Sequence, residues 1–241
     1  MSRSLIKYGQ LAEKRTAFFL CDIQEKFRPA LSHFEQILEA AKKLVQASRI
    51  LNVPLVVTEQ NPKGLGKTVA ELDISHARGV YPKTKFSMIV PEVATELGTL
   101  CDGKLECVVL FGIEAHVCVE QTAAELCYRG LQVHVVADAC TSRSQEDRLL
   151  AFEELHYAFP GQLLKELCRD VVMSGRLVGF ESFDCLEHLF RLRQIGCFVT
   201  TSEAVIFQLL GDKEHPNFAD IRPLIKTVSP YTGLAAYTSK I

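Results

Sequence analysis

Five short stretches of this chain are apolar through most of their length: TAFFLCDIQ (16–24), PLVVTEQ (54–60), LECVVLFGI (105–113), LQVHVVADA (131–139) and CFVTTSEA (197–204). A strand with one wet face alternates apolar and polar residues, whereas a strand covered on both faces need not. Helical spacing fills the gaps between them. The clearest case is SHFEQILEAAKKLVQASRILN (32–52), where Phe34, Ile37, Leu38, Ala41, Leu44, Val45, Ser48 and Leu51 form one stripe. Ser32 is the expected N-cap, with Glu35 three residues on. CVEQTAAELCYRG (118–130) reads as another helix, closed by Gly130. SQEDRLLAF starts a third, and a fourth runs to about Gly211. Doubly buried strands alternating with helices predict an α/β fold: a three-layer, doubly wound, mostly parallel sheet with helices on both faces. The crossovers are expected to be right-handed, and the site to lie at the carboxyl ends of the strands.

Composition narrows the function. The chain has 241 residues, 27 Lys+Arg against 29 Asp+Glu, and a formal charge of −2. That balance supplies no basic footprint for a nucleic acid, and no partner of that kind is expected. No uncharged apolar stretch reaches the ~18 residues of a spanning helix, so no membrane partner is expected either. The opening MSRSLIKYGQLAEKR lacks the apolar core of a secretory signal. Nine cysteines without a C-x-x-C fit a reducing compartment, and the expected location is cytoplasmic. The tail Ser239-Lys240-Ile241 approaches the peroxisomal S-K-L address and misses it at the last position. No linker divides the chain, so residues 1–241 read as one domain. Residues 153–190 break the rhythm and read as an atypical insertion.

Polar residues at the strand ends are the candidates for chemistry. Asp22 follows AFFLC, where a carboxylate is poorly solvated; it reads either as a proton acceptor or as a turn cap. Cys118 opens a helix, whose free N–H groups favour a thiolate and an oxyanion; the alternative is one more buried cysteine, like Cys127. In YPKTKFSMIVP, Lys85 sits among Phe86, Met88 and Ile89 and needs a carboxylate partner if buried, for which Asp22 is the natural choice. Lys83, the competing lysine, is placed on the surface. Phe27, Gln60, Phe86 and His116 flank these residues and are either pocket walls or packing. NPKGLGKT (61–68) imitates a phosphate-binding loop, but Asn61 stands where glycine is needed and Pro62 removes an N–H. The histidines show no H-x-x-x-H spacing, so neither a metal nor another cofactor is expected.

FFLCDIQEKF, KTKFSM and GIEAHVCVEQTAAEL, in this order, resemble the isochorismatase-like cysteine hydrolases, in particular the animal isochorismatase domain-containing proteins. The likeness continues through LQVHVVADACTSRSQEDR and resumes at RLRQIGCFVTTSEAVIFQLLGDKEHPNF. It implies a Rossmann-like fold, a Cys118–Asp22–Lys85 triad, and a cis peptide between Ile113 and Glu114. It also implies an oxyanion hole from the amides of Glu114 and Cys118, and a homo-oligomer. The expected activity is hydrolysis of a small amide or other acyl substrate through a thioester. Two alternatives stand beside it: vinyl-ether hydrolysis of the isochorismatase type, and a non-catalytic module that binds a protein partner through 153–190. The nicotinamidase branch places metal-binding Asp-x-His after the second strand; here that place reads TEQNPKG, which puts nicotinamidase activity and a catalytic metal in doubt.

Overall fold

A computed structural model describes residues 9–156 and 196–234. Six parallel strands form one sheet in the order β3-β2-β1-β4-β5-β6. They are β1 (Thr16–Cys21), β2 (Leu55–Gln60), β3 (Gly79–Lys83), β4 (Cys107–Ile113), β5 (Gln132–Thr141) and β6 (Phe198–Thr200). The apolar runs account for every strand except β3. Both β1 and β4 are buried at each residue, as a sheet covered on both faces requires.

The chain winds outward from β1 in two directions. α1 (Phe34–Ile50) carries it from β1 to β2, and α4 (Glu120–Tyr128) carries it from β4 to β5. Right-handed crossovers running in opposite directions put these helices on opposite faces. α1 shares its face with α6 (Ser202–Leu210) and α7 (Phe218–Lys226), while α4 shares the other with α5 (Gln145–His156). Two shorter helices, α2 (Pro62–Leu65) and α3 (Pro91–Leu97), flank β3 in sequence. No helix among the described residues is long and apolar enough to cross a membrane.

Strand order reverses between β1 and β4, so their carboxyl ends diverge into the crevice that such sheets use for ligands. There the two strands approach closely. Gly112 has φ +133°, and a Cβ on it would lie 2.0 Å from the Cys21 carbonyl oxygen. No other residue could stand there without moving β1 or β4.

Two details differ from the sequence reading. The residue before α1 is His33, in a left-handed conformation and without a side-chain cap. Ser32 instead donates its hydroxyl to the Arg143 carbonyl at 3.0 Å, and its own carbonyl accepts from Thr141. The start of α1 is therefore tied to the end of β5. β3 leaves no apolar run because it is an edge strand, with Pro82 inside it and residues that alternate between half-buried and exposed up to the buried Lys83. Nearly all of the predicted insertion 153–190, and the Ser239-Lys240-Ile241 tail, lie outside the described residues.

His134 on β5 is buried and stacks on Phe198 of β6 with ring centroids 4.7 Å apart. Its Nε2 has no hydrogen-bond partner among the described residues. Burial pushes this imidazole down from 6.5 to about 4. The folded chain therefore holds it neutral where the unfolded chain would bind a proton. Stability is full above pH 6.5 and declines as pH falls toward 4, by on the order of 3 kcal/mol once both states are protonated. Chemical denaturation of H134F across this window is expected to show a shallower acid loss than the parent chain; identical profiles would sink the assignment.

Candidate active site

Side chains from four segments meet at the carboxyl edge of the sheet. β1 ends at Cys21, and the chain turns at Asp22 with φ 51°, a left-handed backbone that Asp adopts more readily than most residues. Its amide donates to the Thr58 carbonyl of β2 at 3.2 Å. The carboxylate is thereby aimed into the crevice, with the side chain wholly buried.

A buried carboxylate needs a cation and hydrogen bonds. Lys83 Nζ lies 2.7 Å from Asp22 Oδ2, and both side chains are 0% exposed. Thr58 donates its hydroxyl to Oδ1 at 2.8 Å, and the Cys21 thiol faces Oδ2 at 3.5 Å. The remaining protons of the ammonium go to Gln60 Oε1 at 2.6 Å and to the Phe86 carbonyl at 2.8 Å, with the Lys85 carbonyl at 3.2 Å. Burial alone would lower the pKa of Lys83. Its neighbours Cys21, Asp22 and Cys118 outweigh burial, and the net shift is upward.

The lysine expected to pair with Asp22 was Lys85, and the structure corrects this. Parallel pairing sets Lys83 beside Gln60 at the end of β3, level with the site. Lys85 lies in the following loop, half exposed, and pairs with Glu125 of α4 at 2.7 Å. Ser87 donates to the same carboxylate at 2.8 Å, and the Met88 amide donates to Thr122 Oγ1 at 2.9 Å. Lys85 thus helps fasten the loop over Lys83 to α4. The apolar neighbours that suggested burial divide: Met88 is buried, whereas Phe86 is 51% exposed.

Cys118 comes from the other side of the crevice. The peptide between Ile113 and Glu114 is cis, as the resemblance implied. A π-helical turn, Ala115–Val119, leads from it into α4. The Glu114 carbonyl accepts from Val117 and Val119. Its carboxylate accepts from the Arg143 amide at 3.1 Å and lies 3.5 Å from that residue's Nε. Cys118 is buried at 6% exposure, and Thr122 donates to its carbonyl. The sulfurs of Cys21 and Cys118 and a carboxylate oxygen of Asp22 all lie within 4.8 Å of one another.

Cys21 and Thr58 were not singled out in the sequence. Cys21 reads there as one apolar residue in a buried strand, and nothing local marks its thiol as facing a carboxylate. Of the expected pocket walls, Gln60 binds Lys83 and the Thr84 carbonyl. His116 Nδ1 lies 2.9 Å from Ser142 Oγ. Phe27 packs half-buried on the core, and Phe86 contributes its carbonyl to the site. The three clustered ligand atoms are a set that could hold a metal ion. Lys83 already supplies positive charge at Asp22 Oδ2.

This arrangement sits inside residues 16–164, which match the isochorismatase domain. The chain belongs to the isochorismatase domain family. Isochorismatase domain-containing protein 1 of Salmo salar is 42% identical over 94% of this chain, which spans 66% of that protein's length. Isochorismatase domain-containing protein 2 of Xenopus laevis is 41% identical, over 96% of this chain and 93% of its own. Among solved structures, the MAR1 ribonuclease of Caenorhabditis elegans is 38% identical, with TM-score 0.73 over 93% of this chain and 96% of that one.

The two lysines of this isochorismatase domain should separate cleanly in urea unfolding. K83M strands the buried Asp22 charge and is expected to cost about 3–5 kcal/mol. K85M removes a half-exposed pair and is expected to cost less than about 1 kcal/mol. Equal losses would contradict the pairing described.

Proposed function

We propose that the chain is a cysteine hydrolase of small amides or related acyl compounds, with Cys118 as nucleophile, Asp22 as proton acceptor and Lys83 holding Asp22. One observation supports this above the others. A fully buried carboxylate, fixed by Lys83 and Thr58, sits within 4.8 Å of a thiol on the π-helical turn that leads into α4. Nucleophile, base and orienting group are the recurring parts of covalent catalysis.

Asp22 takes the thiol proton, and the Cys118 sulfur attacks the carbonyl carbon. The oxyanion rests on the backbone amides of Glu114 and Cys118. As the tetrahedral centre collapses, the C–N bond breaks and the amine leaves with the proton from Asp22. Asp22 then draws a proton from water, which attacks the thioester. The acid departs, and the proton returns to the Cys118 sulfur. Lys83 keeps Asp22 at its post through both halves.

The ribonuclease activity in the worm relative's name suggests a second substrate class. The net charge of −2 favours the small neutral acyl compound over a phosphate backbone. The buried Asp22–Lys83 pair facing a thiol favours it over a protein-binding role in which the site is idle.

A screen of small amides, read by intact mass, is expected to trap an acyl adduct on Cys118. Iodoacetamide should label Cys118 faster than the other cysteines. On any substrate found, C118A should lose at least about 10³-fold in kcat/KM, and D22N about 10²–10⁴-fold. Uniform slow labelling of all cysteines, or full turnover by C118A, would overturn the reading.

A further inference from the structure

The hydrolytic cycle has no task for Cys21. This thiol is nonetheless 0% exposed, faces Asp22 Oδ2 at 3.5 Å, and lies within 4.8 Å of the Cys118 sulfur. We propose that Cys21 and Cys118 form an oxidisable dithiol that reacts with hydroperoxides, with Cys118 as the sulfur attacked first and Cys21 as the sulfur that resolves it into a disulfide. The proposal rests on Cys118 being the nucleophile.

The chemistry uses groups already in place. With its proton on Asp22, the Cys118 sulfur attacks the terminal oxygen of R–O–OH. An S–O bond forms, the O–O bond breaks, and the alkoxide leaves as R–OH after taking the proton from Asp22. Cys118 is now a sulfenic acid, oxidised by two electrons, and the peroxide has been reduced by two. Cys21 then passes its proton to Asp22, along the existing S–H···Oδ2 contact, and attacks the Cys118 sulfur. The S–S bond forms, the S–O bond breaks, and hydroxide leaves with that proton as water. Two thiols and one hydroperoxide give one disulfide, one alcohol and one water.

Three features favour this pair. Cys21 is enclosed in β1, so the neighbouring Cys118 is the sulfur it faces. Burial, the hydrogen-bonding contact with Cys118 and the charge of Asp22 hold its thiol well above the ordinary range, in that order. It therefore stays protonated and does not compete for acyl substrates. Cys118 lies on the π-helical turn rather than inside a strand, so it is the residue placed to swing the sulfurs to the ~2.05 Å of a disulfide. Formation of that bond removes the nucleophile and stops hydrolysis reversibly.

A second close pair serves as an internal comparison. Cys127 Sγ and Cys197 Sγ are 3.7 Å apart, and no hydrogen bond described for either thiol reaches a carboxylate. The full chain is treated with limiting hydrogen peroxide, alkylated, and digested without reductant. The expected product is a Cys21–Cys118 cross-linked peptide, with loss of iodoacetamide labelling at Cys118 that dithiothreitol restores. In C21A, oxidation should stop at a Cys118 sulfenic acid that dimedone traps, and then proceed to sulfinic acid that dithiothreitol does not reverse. Should C21A fold poorly, the peptide map of the parent chain decides alone. Rapid iodoacetamide labelling of Cys118, with oxidation that never links it to Cys21, overturns this proposal and spares the hydrolase. A cross-link confined to Cys127 and Cys197 overturns it equally. Slow labelling of Cys118 alongside the other cysteines overturns both.

Discussion

The Asp22–Lys83 ion pair constrains everything around it. Two opposite charges with no solvent exposure are tolerated only when geometry and hydrogen bonds replace the lost water. Here the replacement is complete for the ammonium and nearly so for the carboxylate: Gln60 and the Phe86 carbonyl take the protons that Asp22 does not, while Thr58 and Cys21 face the carboxylate. Together with Lys83 itself, these groups come from three adjacent strands and one loop. Parallel pairing is what makes this possible, because it brings the carboxyl ends of β1, β2 and β3 level with one another. A slip of one residue in β3 would turn Lys83 to the other face and leave Asp22 without a counter-ion.

The second constraint is distance across the switch point. Cys118 reaches the ion pair only because β1 and β4 approach so closely at Cys21 and Gly112 that no side chain fits between them. Beyond that contact the chain leaves β4 through the π-helical turn, and the turn points its cysteine back toward β1. Thr122 then couples this turn to the loop above Lys83, since its hydroxyl donates to the Cys118 carbonyl and accepts from the Met88 amide. Cys118 and Asp22 are therefore referenced to one another twice, through the sheet and through α4. The Lys85–Glu125 pair strengthens the second link from outside.

Much of this was legible in the residues. Strands buried on both faces announce themselves as continuous apolar runs, and their carboxyl ends flagged Asp22 and Cys118. The lysine was misassigned for a physical reason. β3 is an edge strand with little apolar content and an internal proline, so its pairing with β2 left no mark in the composition. Without that register, two lysines two residues apart could be ranked only by their neighbours, and the apolar neighbours of Lys85 belong to a loop whose Phe86 faces solvent. Cys21 was hidden in the opposite way. It satisfies the apolar pattern of β1 so well that only coordinates reveal what its thiol faces.

That concealment bears on how the site is built. A valine or alanine at position 21 would continue the buried run of β1 equally well and would present no donor to Asp22 Oδ2. The thiol adds a weak hydrogen bond to a carboxylate that already has two strong partners, so its contribution to holding Asp22 is small beside theirs. Its chemical contribution is different in kind, because it sets a second sulfur beside the first within reach of the same carboxylate. A carboxylate that accepts a proton from one thiol can accept it from the other. On the reading proposed above, the preorganisation that favours attack on a carbonyl carbon also favours attack on sulfur once Cys118 is oxidised.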